Sequence, residues 1–163
     1  MRYVMKTKLF SWGRDFTIRD EEGRDVYFVD GLAFTIGAKL SFQDMTGREL
    51  AFIRQRMFAW GLTYEILREG EIAAVVRKKI FTLFRCVFTV DEPGPDDPIA
   101  EGDFFGHEYV FTRSGQVIGT VSKKWFSLAN TYGVDVADDE DAILLLAATV
   151  VIDMACHQND HHG

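Results

Sequence analysis

Lysine and arginine recur at one phase of this chain. Lys8, Arg56, Lys78, Lys79, Lys123 and Lys124 stand just before phenylalanines that repeat along the sequence, and Arg54 and Arg77 lie nearby. Cationic heads carried to one height by a repeating fold would form a rim able to meet phosphate headgroups or another acidic surface. The same charges also serve as solvated guards of strand ends, and residue type alone leaves both roles open. The other groups with chemical potential are four histidines and two cysteines. His157, His161 and His162 sit with Asp160 in the closing HQNDHHG, ligand-type side chains in a terminus expected to fray, so no metal site is assigned. His107 stands alone. Cys86 lies in an apolar alternating run with no histidine in motif reach, and there is no G-x-S-x-G, G-x-x-x-x-G-K-[ST] or G-x-G-x-x-G motif to supply a nucleophile or a phosphate cradle. The expectation is no catalytic residue and no cofactor.

The phenylalanines mark a repeat. FSWGRDFTIRD at 10–20 resembles FTIGAKLSFQD at 34–44, FAWGLTYEILR at 58–68 and FTLFRCVFTVD at 81–91, and a divergent copy, FSLANTYGVD, follows at 126–135; the intervals are 24, 24, 23 and 45. Each copy joins an apolar run, a polar or glycine break and an alternating segment, the pattern of a hairpin. Acidic turns with glycine, such as Asp20-Glu21-Glu22-Gly23 and Asp44-Met45-Thr46-Gly47, then send the chain back. Returning strands are predicted at 25–30, 48–55, 71–77, 108–113 and 116–122, making about a dozen strands in a meander. The stretch 92–105, which holds all three prolines, reads as a long surface loop.

One segment breaks the pattern. After the acidic tetrad 138–141 comes AILLLAATVVI at 142–152, eleven residues without a charge, predicting a helix over about 140–156 with carboxylates at its N-terminus. Eleven apolar residues fall short of the roughly twenty that span a bilayer. A helix apolar on every side must be buried all round, which a sheet on one face cannot achieve and a closed barrel can. The expected fold is a β-dominated, closed antiparallel barrel of about twelve strands around a buried hydrophobic C-terminal helix. A two-layer α+β sandwich remains the alternative.

Composition fits one domain over 1–163. Hydrophobic residues make up 47% and charged residues 26%, which are globular values, and no basic run exceeds three residues, so a dedicated nucleic-acid binder is not expected. Residues 1–91 carry 15 basic and 12 acidic side chains (+3) and residues 92–163 carry 3 and 13 (−10), which sum to the net charge of −7. Two widely spaced cysteines and an N-terminus without an apolar signal segment point to a reducing cytoplasm.

Several further stretches carry a family resemblance: MRYVMKTKLFS at 1–11, Thr17-Ile18-Arg19-Asp20, Gly23 through Tyr27, KLSFQD at 39–44 and KKIFTLF at 78–84. Asp103-Phe104-Phe105 with His107-Glu108-Tyr109, SKKWFS at 122–127, TYGVDV at 131–136 and the terminal helix through Val151-Ile152-Asp153 complete it. Together they resemble the LURP-one-related family, whose domain looks like the tubby C-terminal domain and the phospholipid scramblases. That resemblance implies a twelve-stranded barrel around a hydrophobic helix, implies no agreed enzymatic activity, and points through the tubby relatives to phosphoinositide headgroups. The scramblases add a cysteine-rich lipidation segment and a membrane-spanning stretch, and this sequence has neither. The functional expectation is a non-enzymatic binding module, cytoplasmic or peripheral at a membrane. Its rim of Lys8, Arg54, Arg56, Arg77, Lys78, Lys79, Lys123 and Lys124 would recognise anionic phospholipid headgroups or a protein partner. The alternative is an enzyme or small-ligand carrier with a pocket at a barrel mouth beneath the loop at 92–105.

Overall fold

The computed structural model describes residues 1–10, 13–32, 35–57, 61–82, 85–124, 126–128 and 130–157. Trp12, Trp60 and Trp125, the repeat residues Phe34 and Phe58, and the tail residues Asp160, His161 and His162 lie outside them. The strands are β1 (Arg2–Phe10), β2 (Gly13–Arg19), β3 (Asp25–Gly31), β4 (Lys39–Asp44), β5 (Glu49–Gln55) and β6 (Thr63–Arg68), then β7 (Glu71–Thr82), β8 (Arg85–Asp91), β9 (Ile99–Asp103), β10 (Glu108–Arg113), β11 (Gln116–Ser122) and β12 (Thr131–Val136). All neighbouring strands pair antiparallel in chain order, and β1 pairs with β12, from Arg2 opposite Asp135 to Lys6 opposite Thr131, closing the barrel.

Alternation decides which side chains enter the lumen. Met5, Phe16, Ile18, Phe42, Ile53, Ile66, Phe111 and Val134 are fully buried there around α1 (Ala142–His157). From Leu144 to Cys156 every helix residue is buried, Thr149 and Asp153 included, so the helix lies within the closed sheet. Small residues make that fit possible: Ala147 and Ala148 on the helix and Ala51, Ala74 and Ala100 on the wall are buried. A Cβ at Gly119 would stand 3.6 Å from Leu145 Cδ1. Thr149 donates its hydroxyl to the Leu145 carbonyl at 2.8 Å, which satisfies a polar group in the dry interior.

The helix begins just after the acidic tetrad rather than within it. Asp141 is its cap: its carboxylate accepts the Leu144 amide at 3.2 Å and its carbonyl accepts the Leu145 amide at 3.1 Å. Arg68, at the end of β6, clasps the same carboxylate at 2.5 and 2.8 Å. Burial alone would raise the Asp141 carboxyl, but the Arg68 hydrogen bonds and the Leu144 and Ile143 amides outweigh it and hold the group below its ordinary value.

Two details depart from the sequence reading. The stretch 92–105 is not loop throughout, since it contains β9 and the buried Phe104. In β9, IAEGD, only Ala100 is buried, so alternation left no trace; pairing to β10 from Ile99 opposite Thr112 to Asp103 opposite Glu108 makes it a strand. The doubled interval of 45 residues also hides a repeat copy. Residues 104–107, Phe-Phe-Gly-His, form the β9–β10 turn at the expected phase.

Ending the chain before Asp139 is expected to give a dye-binding, aggregating β chain without a cooperative thermal transition; a folded monomer would contradict enclosure of the helix. The Asp141 clasp adds stability that is present above the ordinary carboxylate range and lost as pH falls through the lowered value. Arg68→Met should therefore shift the urea midpoint at neutral pH and shift it much less at about pH 3. An equal shift at both pH values would contradict the linkage.

Candidate functional site

A meander barrel has two different ends. Turns that follow even-numbered strands gather at one, with the helix N-terminus, and apart from Ser114-Gly115 after β10 they are acidic: Asp20, Glu22, Asp44, Glu69, Glu92 and Asp138. Turns that follow odd-numbered strands gather at the other, hereafter the loop end, where the helix finishes.

The topology carries most of the predicted cations toward the loop end and treats them differently. Lys8 lies opposite Asp15 across β1 and β2. Arg54 and Arg56 each stand 3.3 Å from the buried Glu65 carboxylate; burial would raise that carboxyl, and the two guanidiniums bring it below its ordinary value. Arg77 stands opposite Thr63, the first residue of β6, and is paired with Asp91 at 2.9 Å. Lys78 continues the inward phase of Ala74 and Val76 and is half-buried, near enough to the Cys156 thiol to favour its thiolate. Lys79 and Lys124 are exposed, Lys123 is half-exposed with its amide on Glu108 at 2.9 Å, and none of the four lysines has a carboxylate ion pair among the described residues.

The sequence reading missed the apolar partners of these cations. Ile36 (80% exposed), Met57, Phe105 (66%) and Leu128 (66%) lie in the loop-end connections after β3, β5, β9 and β11, and Ile80 (72%) near the loop end of β7. Single exposed apolar side chains are ordinary, but one at the loop end of each of five successive odd-numbered strands forms a crown. The acidic end also exposes Met45, Ile72 and Val117, there among carboxylates. The crown escaped notice because each residue stands at the end of a different strand, and only closure of the barrel brings them together.

Beneath the crown lies a buried polar cluster that was also missed. Arg14 of β2 places Nη1 3.4 Å from Asp153 Oδ2 and donates Nη2 to the His157 carbonyl. His107, in the β9–β10 turn, places Nε2 2.9 Å from Asp153 Oδ1, and His157 Nε2 lies 3.8 Å from the same oxygen. The His107 ring stacks on Tyr132 at 4.3 Å and on His157 at 5.0 Å, the latter pair 7° from parallel. Local backbone fixes these positions: a Cβ at Gly31 would overlap the Arg14 carbonyl oxygen, one at Gly102 would lie 2.6 Å from the Glu108 carbonyl oxygen, and His107 holds a left-handed φ of 54°. The ligand-type atoms of His107, Asp153 and His157 lie within 4.8 Å of one another. Burial pushes the Cys156 thiol up to about 12, so it remains protonated at neutral pH. One signal in the sequence marked this cluster: Asp153 and His157 are four apart on a helix, hence on one face.

Comparison with known proteins agrees with the architecture. A family model described as LURP-one-related matches residues 1–153. A Bacillus subtilis protein, "Uncharacterized protein YxjI", is 31% identical over 156 residues, covering 96% of this chain and 94% of its own. An X-ray structure of an Arabidopsis thaliana protein superposes with a TM-score of 0.65 over 99% of this chain and 92% of that one, at 15% identity, a likeness of fold.

Arg14 and Asp153 form a nearly solvent-free pair, with side chains 8% and 4% exposed. Arg14→Met leaves the carboxylate without its main counter-charge and should cost about 3–5 kcal/mol in urea unfolding, most of it recovered by adding Asp153→Leu. A single-variant loss below about 1 kcal/mol would contradict a dry ion pair.

Proposed function

This chain belongs to the LURP-one-related family, and on that premise we propose that it is a non-enzymatic binding module that docks its loop end on anionic phospholipid surfaces. The observation that carries the reading is the pairing of an apolar crown with cations on one end, while carboxylates fill the turns of the other. Peripheral attachment draws on both terms: about 1 kcal/mol per Lys or Arg near an anionic surface, and burial of apolar tips at the headgroup boundary. A net charge of −7 would repel the molecule as a whole, and its axial separation instead orients it, loop end inward. The resemblance to tubby domains points the same way. No helix among the described residues is long and apolar enough to cross a membrane, so the proposed attachment needs no helical span.

A second reading has its own observation. A cleft of about 500 Å³ opens at the loop end beside Cys86, Gly102, Asp103, Phe104 and Phe105, where the described β8–β9 register is short, with Phe88 opposite Ala100 and Thr89 opposite Ile99. It would suit a small-ligand carrier or an enzyme. The lumen offers such a ligand little room, since Leu146, Ala147, Val150 and Val151 are fully buried there.

Co-sedimentation with vesicles of graded phosphatidylserine and phosphoinositide content, at low and physiological salt, separates the readings. Binding should rise with headgroup charge and fall with salt. Charge reversal of Lys78, Lys79, Lys123 and Lys124 should weaken it more than about 100-fold, and Leu128→Ser should reduce what salt leaves. Binding that ignores the four reversals would refute the lysine surface, and no binding would turn attention to a protein partner or the cleft.

A further inference from the structure

The buried cluster under the crown lies outside the docking surface, and its chemistry is different. We infer that His107, Asp153 and His157 form a binding site for a divalent transition-metal ion of the imidazole-seeking class, Zn²⁺, Co²⁺ or Ni²⁺. Two imidazoles and one carboxylate suit such ions and not Mg²⁺ or Ca²⁺, which take oxygen ligands.

The geometry is close to what an ion requires. Nitrogens and oxygens at about 2.0–2.2 Å from one centre stand a little over 3 Å apart, and the two distances to Asp153 Oδ1, 2.9 and 3.8 Å, bracket that value. Two ligands come from one helix face, four residues apart, and the third from a turn whose backbone is held in a left-handed conformation at His107. Arg14 completes the arrangement by holding Oδ2, so that Oδ1 faces the two rings, a supporting contact of the kind that orients metal-ligating carboxylates. Its positive charge also opposes a second cation, which favours ions that gain most from imidazole. The helix C-terminus supplies partial negative charge in the same place.

Binding requires two local changes. His107 gives up the proton on Nε2 to solvent and takes one up on Nδ1, so its Nε2 lone pair faces the ion in place of its hydrogen bond to Asp153. The parallel His107 and His157 rings cannot both point lone pairs at one centre, so one must turn. His157 is the candidate, as the last helical residue, against the exposed Phe105 at 6.0 Å. Three protein ligands leave a fourth position for water.

The test uses the full chain stripped with EDTA, titrated with Zn²⁺ by calorimetry and with Co²⁺ by visible absorption. One ion should bind per chain. His157→Gln and His107→Asn, the latter keeping a residue that tolerates the left-handed backbone, should each weaken binding at least about tenfold with the metal-free circular dichroism unchanged. The tail variant His161→Ala/His162→Ala should still bind. Stoichiometric binding that survives in both His107→Asn and His157→Gln, or no binding of either ion, would overturn the inference. Should His107→Asn fail to fold, His157→Gln decides alone. Vesicle docking is not needed for any of these outcomes.

Discussion

The constraint on which the structure depends is a helix with no polar face. From Leu144 to Cys156 every residue of it is buried, and one wall of sheet could satisfy only half of such a surface. Twelve strands closed on themselves satisfy all of it, and closure also removes the open sheet edges that invite association. The helix is about 24 Å long, close to the height of strands of six or seven residues before tilt, so it fills the lumen from end to end. Recognition is thereby displaced to the ends of the barrel.

The two ends have been given opposite character by a simple device. Most even-to-odd turns carry a carboxylate, and the Arg68 clasp on Asp141 anchors the helix N-terminus among those turns. Basic residues of the repeat stand at the loop ends of β1, β5, β7 and β11, and exposed apolar side chains at those of β3, β5, β7, β9 and β11. The helix C-terminus arrives at this second end, where Asp153 and His157 meet Arg14 and His107. The charge separation runs along the barrel axis, which makes orientation at a charged surface a property of the whole fold and not of one patch.

Much of this was legible in the sequence, and the gaps have physical causes. The repeat located the even-numbered strands, and the uncharged run at 142–152 fixed the enclosed helix, because both signals are local and periodic. β9 was invisible because one buried residue in five leaves no alternation. The hidden copy at 104–107 went with it, and so did His107. Asp153 was seen only as a late residue of an apolar helix; its role depends on Arg14, 139 residues away in sequence. The basic positions were legible as a set, whereas the pairing of Arg77 with Asp91 and of Arg54 and Arg56 with Glu65 was not, because sequence phase gives height around the barrel but not the carboxylates that wait there. The crown of Ile36, Met57, Ile80, Phe105 and Leu128 is a property of closure alone.

The central claim is that the loop end, and not the acidic end, faces an anionic bilayer. Hydrogen exchange of the protein with and without phosphatidylserine vesicles tests it without altering a residue. Slowed exchange confined to the loop end, at the end of β7 and in the connections after β3, β5, β9 and β11, with the turns at 45–48 and 114–115 unchanged, is the predicted result. Protection at the acidic turns, or an exchange pattern that vesicles leave untouched, would contradict it.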